Sequence, residues 1–223
     1  MRRKIVAVLI FGLGGIAILL ALGNWQLKRL VWKEGVIAEI EARLSADPVP
    51  LPALPDPVGD KYMRVTVTGQ YGPGEVHVLS AAQPWGPGYR IIAPFVTDTG
   101  RHILIDRGYV PQPAKDTPRD APAATVTGAL LWPDEMDSFT PDPDLGANIW
   151  FARDPEGLAA QLGTEPVMIV TEANPGDWPK AMPISVKIKN DHLGYAVTWF
   201  GLAAVWAVMT VVVLLRLRRS GAI

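Results

Sequence analysis

His192, Tyr195 and Trp199 stand at i, i+3 and i+7 in the stretch 190–200, with small Ala196 between them. On a helix this spacing puts an imidazole, a phenol and an indole on one face. Over a small residue, such a trio can take the edge of a flat cofactor. The same residue types also suit a membrane–water boundary, where tyrosine and tryptophan form belts and a histidine stays wet. On spacing alone the boundary reading carries more weight.

The element that must position these residues is the apolar run behind them. No charge occurs between Asp191 and Arg216, and the 23 residues from Leu193 to Leu215 are enough, at about 1.5 Å each, to cross a bilayer core. A second uncharged run of 19 residues, Ile5 to Gly23, follows Arg2-Arg3-Lys4. It exceeds the roughly 7–15 residues of a signal-peptide core, so an uncleaved anchor is expected, although Ala21-Leu22-Gly23 would serve as a cleavage site. Basic residues at both outer ends predict both termini in the cytoplasm and the intervening segment outside. The first run carries Gly12, Gly14, Gly15, Ala17 and Ala21, and the second Gly201, Ala203, Ala204 and Ala207. Small residues let helices approach closely in lipid. Packing of the two runs would bring Trp25, Gln26 and Arg29 to the depth of His192, Tyr195 and Trp199.

All 22 acidic residues lie between the runs, against 15 of the 21 basic ones. That acidic segment has no basic patch suited to nucleic acid. With no cysteine, disulfides, thiolate metal sites and covalent haem attachment are excluded. Residues 27–44 read as an amphipathic helix stopped by the proline-dense stretch 47–57. Alternating segments at 62–69, 75–80, 89–96, 101–110, 125–131, 148–152 and 167–171 predict strands, and 155–162 a short helix opened by Asp154. Turns are expected at 72–74, 84–88 and 98–100, and loops at 111–122 and 133–146. Together they predict a small, mainly antiparallel barrel or sandwich, α+β overall with the two helices. Chemistry is sparse in this segment. His77 and His102 each sit once in an alternating strand and are expected to face solvent or to accept a local hydrogen bond. No serine-nucleophile elbow, paired metal-binding histidines or glycine-rich phosphate loop occurs. Asp106-Arg107-Gly108 reads as a turn or a local pair, and Trp132, Trp150 and Trp178 as core or interface anchors.

Three patches together resemble a known family: Gly23-Asn24-Trp25-Gln26-Leu27-Lys28-Arg29 with Trp32-Lys33, Asp106-Arg107-Gly108-Tyr109-Val110-Pro111, and Asn190-Asp191-His192-Leu193-Gly194-Tyr195-Ala196-Val197-Thr198-Trp199-Phe200. They are similar to the Surfeit-locus-one family of cytochrome oxidase assembly factors. Two departures occur: Asp191 replaces the second asparagine before the histidine, and Asp106 and Tyr109 replace asparagine and tryptophan. Asp191 puts a carboxylate beside His192.

The resemblance implies a non-enzymatic role in building haem-copper oxidases, binding or delivering haem a to subunit I, with oxidase subunit I and a haem a synthase as partners. His192 is the implied iron ligand, with Trp25, Gln26, Tyr195 and Trp199 around the macrocycle and Arg29 or Lys28 toward a propionate; no separate metal is implied. Because nothing like a transit peptide precedes the first run, a bacterial inner-membrane protein is expected, in contact with lipid and not with nucleic acid. The expected organisation is a cytoplasmic end at 1–4, spans at 5–23 and 191–215, a helix and linker at 24–57, a periplasmic β-rich domain at 58–190, and a basic tail at 216–223. The alternative is a two-span membrane enzyme or sensor whose outer domain binds a small ligand.

Overall fold

The computed structural model describes residues 2–120, 122–186 and 188–220. They form two compact units, one made of the chain ends (1–39 and 186–223) and one of residues 40–185.

In the first unit, helices α1 (Arg2–Ser45) and α3 (His192–Arg219) pair antiparallel. Both are long and apolar enough to cross a membrane. Their facing positions step alternately by three and four: Val8, Gly12, Gly15, Leu19, Leu22 and Gln26 on α1; His192, Ala196, Trp199, Ala203, Trp206 and Thr210 on α3. That rhythm is the seam of two helices packed nearly parallel to one another's axes. Three glycines set the separation. A Cβ on Gly12, Gly15 or Gly23 would come within 2.3 Å of Thr210, 2.4 Å of Trp206 or 2.7 Å of Phe200. Gly14 and Gly201, expected among the packing residues, have open space where a Cβ would stand. The span and the amphipathic helix read separately from the sequence are one continuous α1. Residues 24–33 contain no proline, so nothing there removes an intrahelical hydrogen bond.

The second unit is built on a closed sheet. Strands β2 (Arg64–Tyr71), β6 (Ala123–Leu131), β8 (Met168–Thr171), β5 (His102–Pro111) and β4 (Gly86–Thr97) pair in that order, and β4 returns to β2 through Gly69↔Thr97 to Tyr71↔Phe95. The result is a small five-stranded barrel. Strands β3 (Val76–Ala82) and β7 (Ile149–Trp150) extend the sheet beyond β4, and β1 (Val49–Pro50) lies beside β2. The sheet is mixed but mainly antiparallel, as expected: the short pairings β1–β2, β3–β7 and β5–β8 are parallel and the others antiparallel. Alternation divides the side chains between two cores. Val65, Val67, Phe95, Ile103, Ile105 and Ile169 fill the barrel. Ile92, Leu104 and Met168, one step along the same strands, point the other way and are covered by Leu158 and Ala159 of α2 (Pro155–Leu162) and by Trp150. Helix α2 starts where Asp154 accepts hydrogen bonds from the Glu156 and Gly157 amides, and it stops at Gly163 in the left-handed conformation. The segment 86–88, expected as a turn, is strand: Gly88 lies so close to β5 that a Cβ would meet the Val110 carbonyl at 2.1 Å.

Candidate functional site

The first candidate site lies where α3 begins. His192 Nδ1 is 2.7 Å from Gln26 Oε1 of α1. An amide oxygen only accepts, so in this pair Nδ1–H is the donor, and in a neutral imidazole that leaves the lone pair on Nε2. Gln26 is buried, as are Gly23 and Ala196, whose small side chains let the two helices meet at this level. Trp25 and Tyr195 are 55% and 57% exposed, and Trp199 is half-buried. Tyr195 therefore stands on the flank of the seam that holds His192, Ala196 and Trp199. Arg29 is exposed and stacks over Trp32, 3.9 Å from the ring centre. The hairpin thus brings Gln26 to His192, and leaves Trp25, Arg29 and Tyr195 on open surface. The Asp191 carboxylate, expected beside His192, pairs instead with Lys189 at 2.9 Å and raises the Lys189 pKa through that hydrogen bond. Lys33 also donates to the Lys189 carbonyl, tying α1 to the segment before α3.

In the barrel, the Asp106-Arg107-Gly108 sequence proves to be more than a turn. Asp106 is fully buried. Its Oδ2 takes Arg90 Nε at 2.7 Å and Arg153 Nη1 at 3.3 Å, and its Oδ1 takes the Gly108 amide at 3.0 Å. Arg153 also forks onto Glu135. Burial alone would raise the Glu135 pKa, but the hydrogen bonds and charge of Arg153 outweigh it and hold the carboxyl below its usual value. A depressed folded value means that this contribution to stability is complete above about pH 4.3, the ordinary glutamate value. It is lost as the pH falls through the folded pKa. Glu135→Gln is therefore expected to lower the unfolding midpoint at neutral pH and to flatten its decline in acid. A variant that declines as steeply as the wild type would contradict this origin of the acid response.

His77, expected at the solvent or in a local hydrogen bond, is 5% exposed. Its Nε2 meets Glu75 Oε1 at 2.8 Å, and loop residues between 112 and 120 join it around one cavity. His102 is exposed, as expected. Trp150 belongs to the core, Trp132 donates to the Pro166 carbonyl at 2.9 Å, and Trp178 packs edge-on against Trp85 at 5.7 Å. Sequence reasoning missed the Arg90–Asp106–Arg153 cluster, because its members are far apart in the chain. The one local signal was a glycine inside a strand, at Gly108.

A two-helix hairpin holding an oriented histidine, with a small mixed barrel between its helices in sequence, defines the class of protein. The SURF1 family model matches residues 13–204. A SURF1-like protein of Monosiga brevicollis is 34% identical over 222 residues, covering 90% of this chain and 83% of that protein. Surfeit locus protein 1 of Homo sapiens is 33% identical over 211 residues, covering 82% and 69%. A SURF1-like protein of Rickettsia bellii is 28% identical over 222 residues, covering 92% and 87%. The chain belongs to the SURF1 family, as its three sequence patches indicated.

Proposed function

We propose that this chain is a non-enzymatic assembly factor for a haem-copper terminal oxidase, which takes haem a as cargo and presents it to subunit I. The observation that carries this reading is the His192–Gln26 pair at 2.7 Å. A histidine with Nδ1–H held by an oxygen acceptor is oriented and tautomerically fixed, as metal-bound histidines commonly are, with Nε2 available to iron. Trp25 and Tyr195 are exposed on either helix and would wall the macrocycle; Trp199 would support it from the seam. Arg29, or Lys28 beside it, would meet a propionate. Haem supplies the iron that an imidazole can ligate, and the chain supplies orientation and a route for handing it over.

The reading includes placement. Both helices span a bacterial inner membrane, with the ends at Arg2-Arg3-Lys4 and Arg216, Arg218 and Arg219 in the cytoplasm and the barrel in the periplasm. Oxidase subunit I and a haem a synthase are its partners. The bacterial SURF1-like relative in Rickettsia bellii supports a bacterial setting. Cells lacking the chain are expected to insert subunit I with reduced haem a content, restored by the wild-type gene. Unchanged oxidase haem content in the deletion strain would remove the proposal. The reading of a membrane sensor with a ligand site in the outer domain draws support from one cavity of the barrel unit, and the two roles are compatible.

A further inference from the structure

A β-bulge turns one arginine of the barrel out of the ladder. Along β4 and β5, Ile91 pairs with Gly108 and Ile92 with Asp106, so Arg107 is the extra residue. Gly108 takes the turn with φ of +100°, and a Cβ there would meet the Lys180 carbonyl at 2.1 Å. Bulges of this kind re-aim a side chain beside functional sites. Here the Arg107 guanidinium lies over the Tyr71 ring, 4.4 Å from its centre, and lines a cavity of about 500 Å³. That volume falls within the range of small-molecule sites.

The cavity lining carries three cations, of Arg107, Lys115 and Arg119, and three carboxylates, of Glu75, Asp116 and Asp120, but the pairing among them is uneven. Arg64, Arg90, Arg101, Arg119 and Arg153 each pair with a carboxylate. Arg107 has none among the described residues; its one hydrogen bond is from Nη1 to the Asp120 carbonyl at 3.4 Å, and its Nε is buried without an acceptor. The carboxylates nearby are already engaged or wet. Glu75 takes Arg119 and His77, Asp116 takes Lys115 and is 82% exposed, and Asp120 is exposed. His77 Nδ1 is a second buried atom without a partner beside the same cavity. An incompletely paired guanidinium stacked on an aromatic ring is a planar fork matched to a planar carboxylate. Pro73 and Pro118 of the lining have no N–H and offer no amide to a phosphate.

We propose that this cavity is a binding site for a small organic carboxylate, held by Arg107 against Tyr71. The site lies wholly in the barrel unit and does not depend on the haem reading.

The test is calorimetric titration of succinate into the full-length protein in detergent, at ionic strength held constant with chloride. Saturable binding is expected in the wild type. Losing a charge-assisted pair in Arg107→Gln should weaken it by about tenfold or more. Thr117→Glu places a negative charge on the exposed lining and leaves Arg107 in place; it should weaken succinate binding while keeping the wild-type unfolding midpoint. Absence of saturable binding in the wild type overturns the proposal. So does unchanged affinity in either variant that retains the wild-type unfolding midpoint. Haem content should be the same in all three proteins, which separates failure here from failure of the proposed function.

Discussion

His192→Ala is expected to strip most of the haem from the purified protein while leaving expression and insertion normal. Alanine is the best helix former, and His192 opens α3 rather than filling a packed core. On the proposed reading, the lost group is the iron ligand itself. Gln26→Leu is expected to cost about 10- to 100-fold in haem affinity, the usual effect of removing the partner that orients a ligating histidine. Its ring would keep a nitrogen for iron and lose its orientation. Trp25→Ala and Tyr195→Ala should weaken retention without ending ligation. His102→Ala, exposed on the barrel, should change nothing. Haem quantitation and the absorption spectrum read all of these. An unchanged spectrum in His192→Ala would leave His192 an interfacial residue and end the direct-binding mechanism.

Asp106→Ala carries the second large expectation, and it concerns the fold. Asp106 has no exposure and balances two largely buried guanidinium groups, of Arg90 and Arg153. Removing it leaves both arginines short of a counter-charge and the Gly108 amide without its acceptor. Breaking such a buried pair from one side costs about 3–5 kcal/mol. Denaturant unfolding followed by tryptophan fluorescence should show this loss, with Glu135 able to compensate only through Arg153. A change below about 1 kcal/mol, the scale of an exposed ion pair, would mean that the cluster is solvated.

Local patterns made much of this fold legible. Alternation in Arg64-Val65-Thr66-Val67 marked a strand because each face meets a different environment, and the apolar run Ile103-Leu104-Ile105 fits a strand buried on both faces. Helix α2 was readable to both ends because Asp154 and Gly163 are start and stop signals in the chain itself. Closure of the barrel was not readable, since the β2–β4 pairing joins residues that share no local pattern. Strand β1 escaped notice inside a proline-rich stretch; Pro50 is tolerated at the sheet's edge. The glycines and proline at 86–88 carried turn chemistry into a strand, because close approach of β5 excludes side chains there. The burial of His77 was not readable, because the loop that covers it lies some forty residues further along the chain.

The site was legible in part. His192 and Gln26 announced themselves by type and by depth in the membrane-like runs, and they meet. Which atoms meet was beyond the sequence, because it depends on glycine contacts that set the helix separation at Gly12, Gly15 and Gly23. Asp191 illustrates the converse. A carboxylate adjacent in sequence need not be adjacent in function, and it pairs with Lys189.

The central claim is that His192, oriented by Gln26, ligates haem iron. The most direct measurement is the absorption spectrum of the full-length protein purified in detergent from cells that make haem a, with haem and protein quantified together. The account predicts stoichiometric haem with the spectrum of histidine-ligated iron and no turnover of it. Protein that emerges without haem, or with haem whose spectrum shows no nitrogen ligand, would contradict the account.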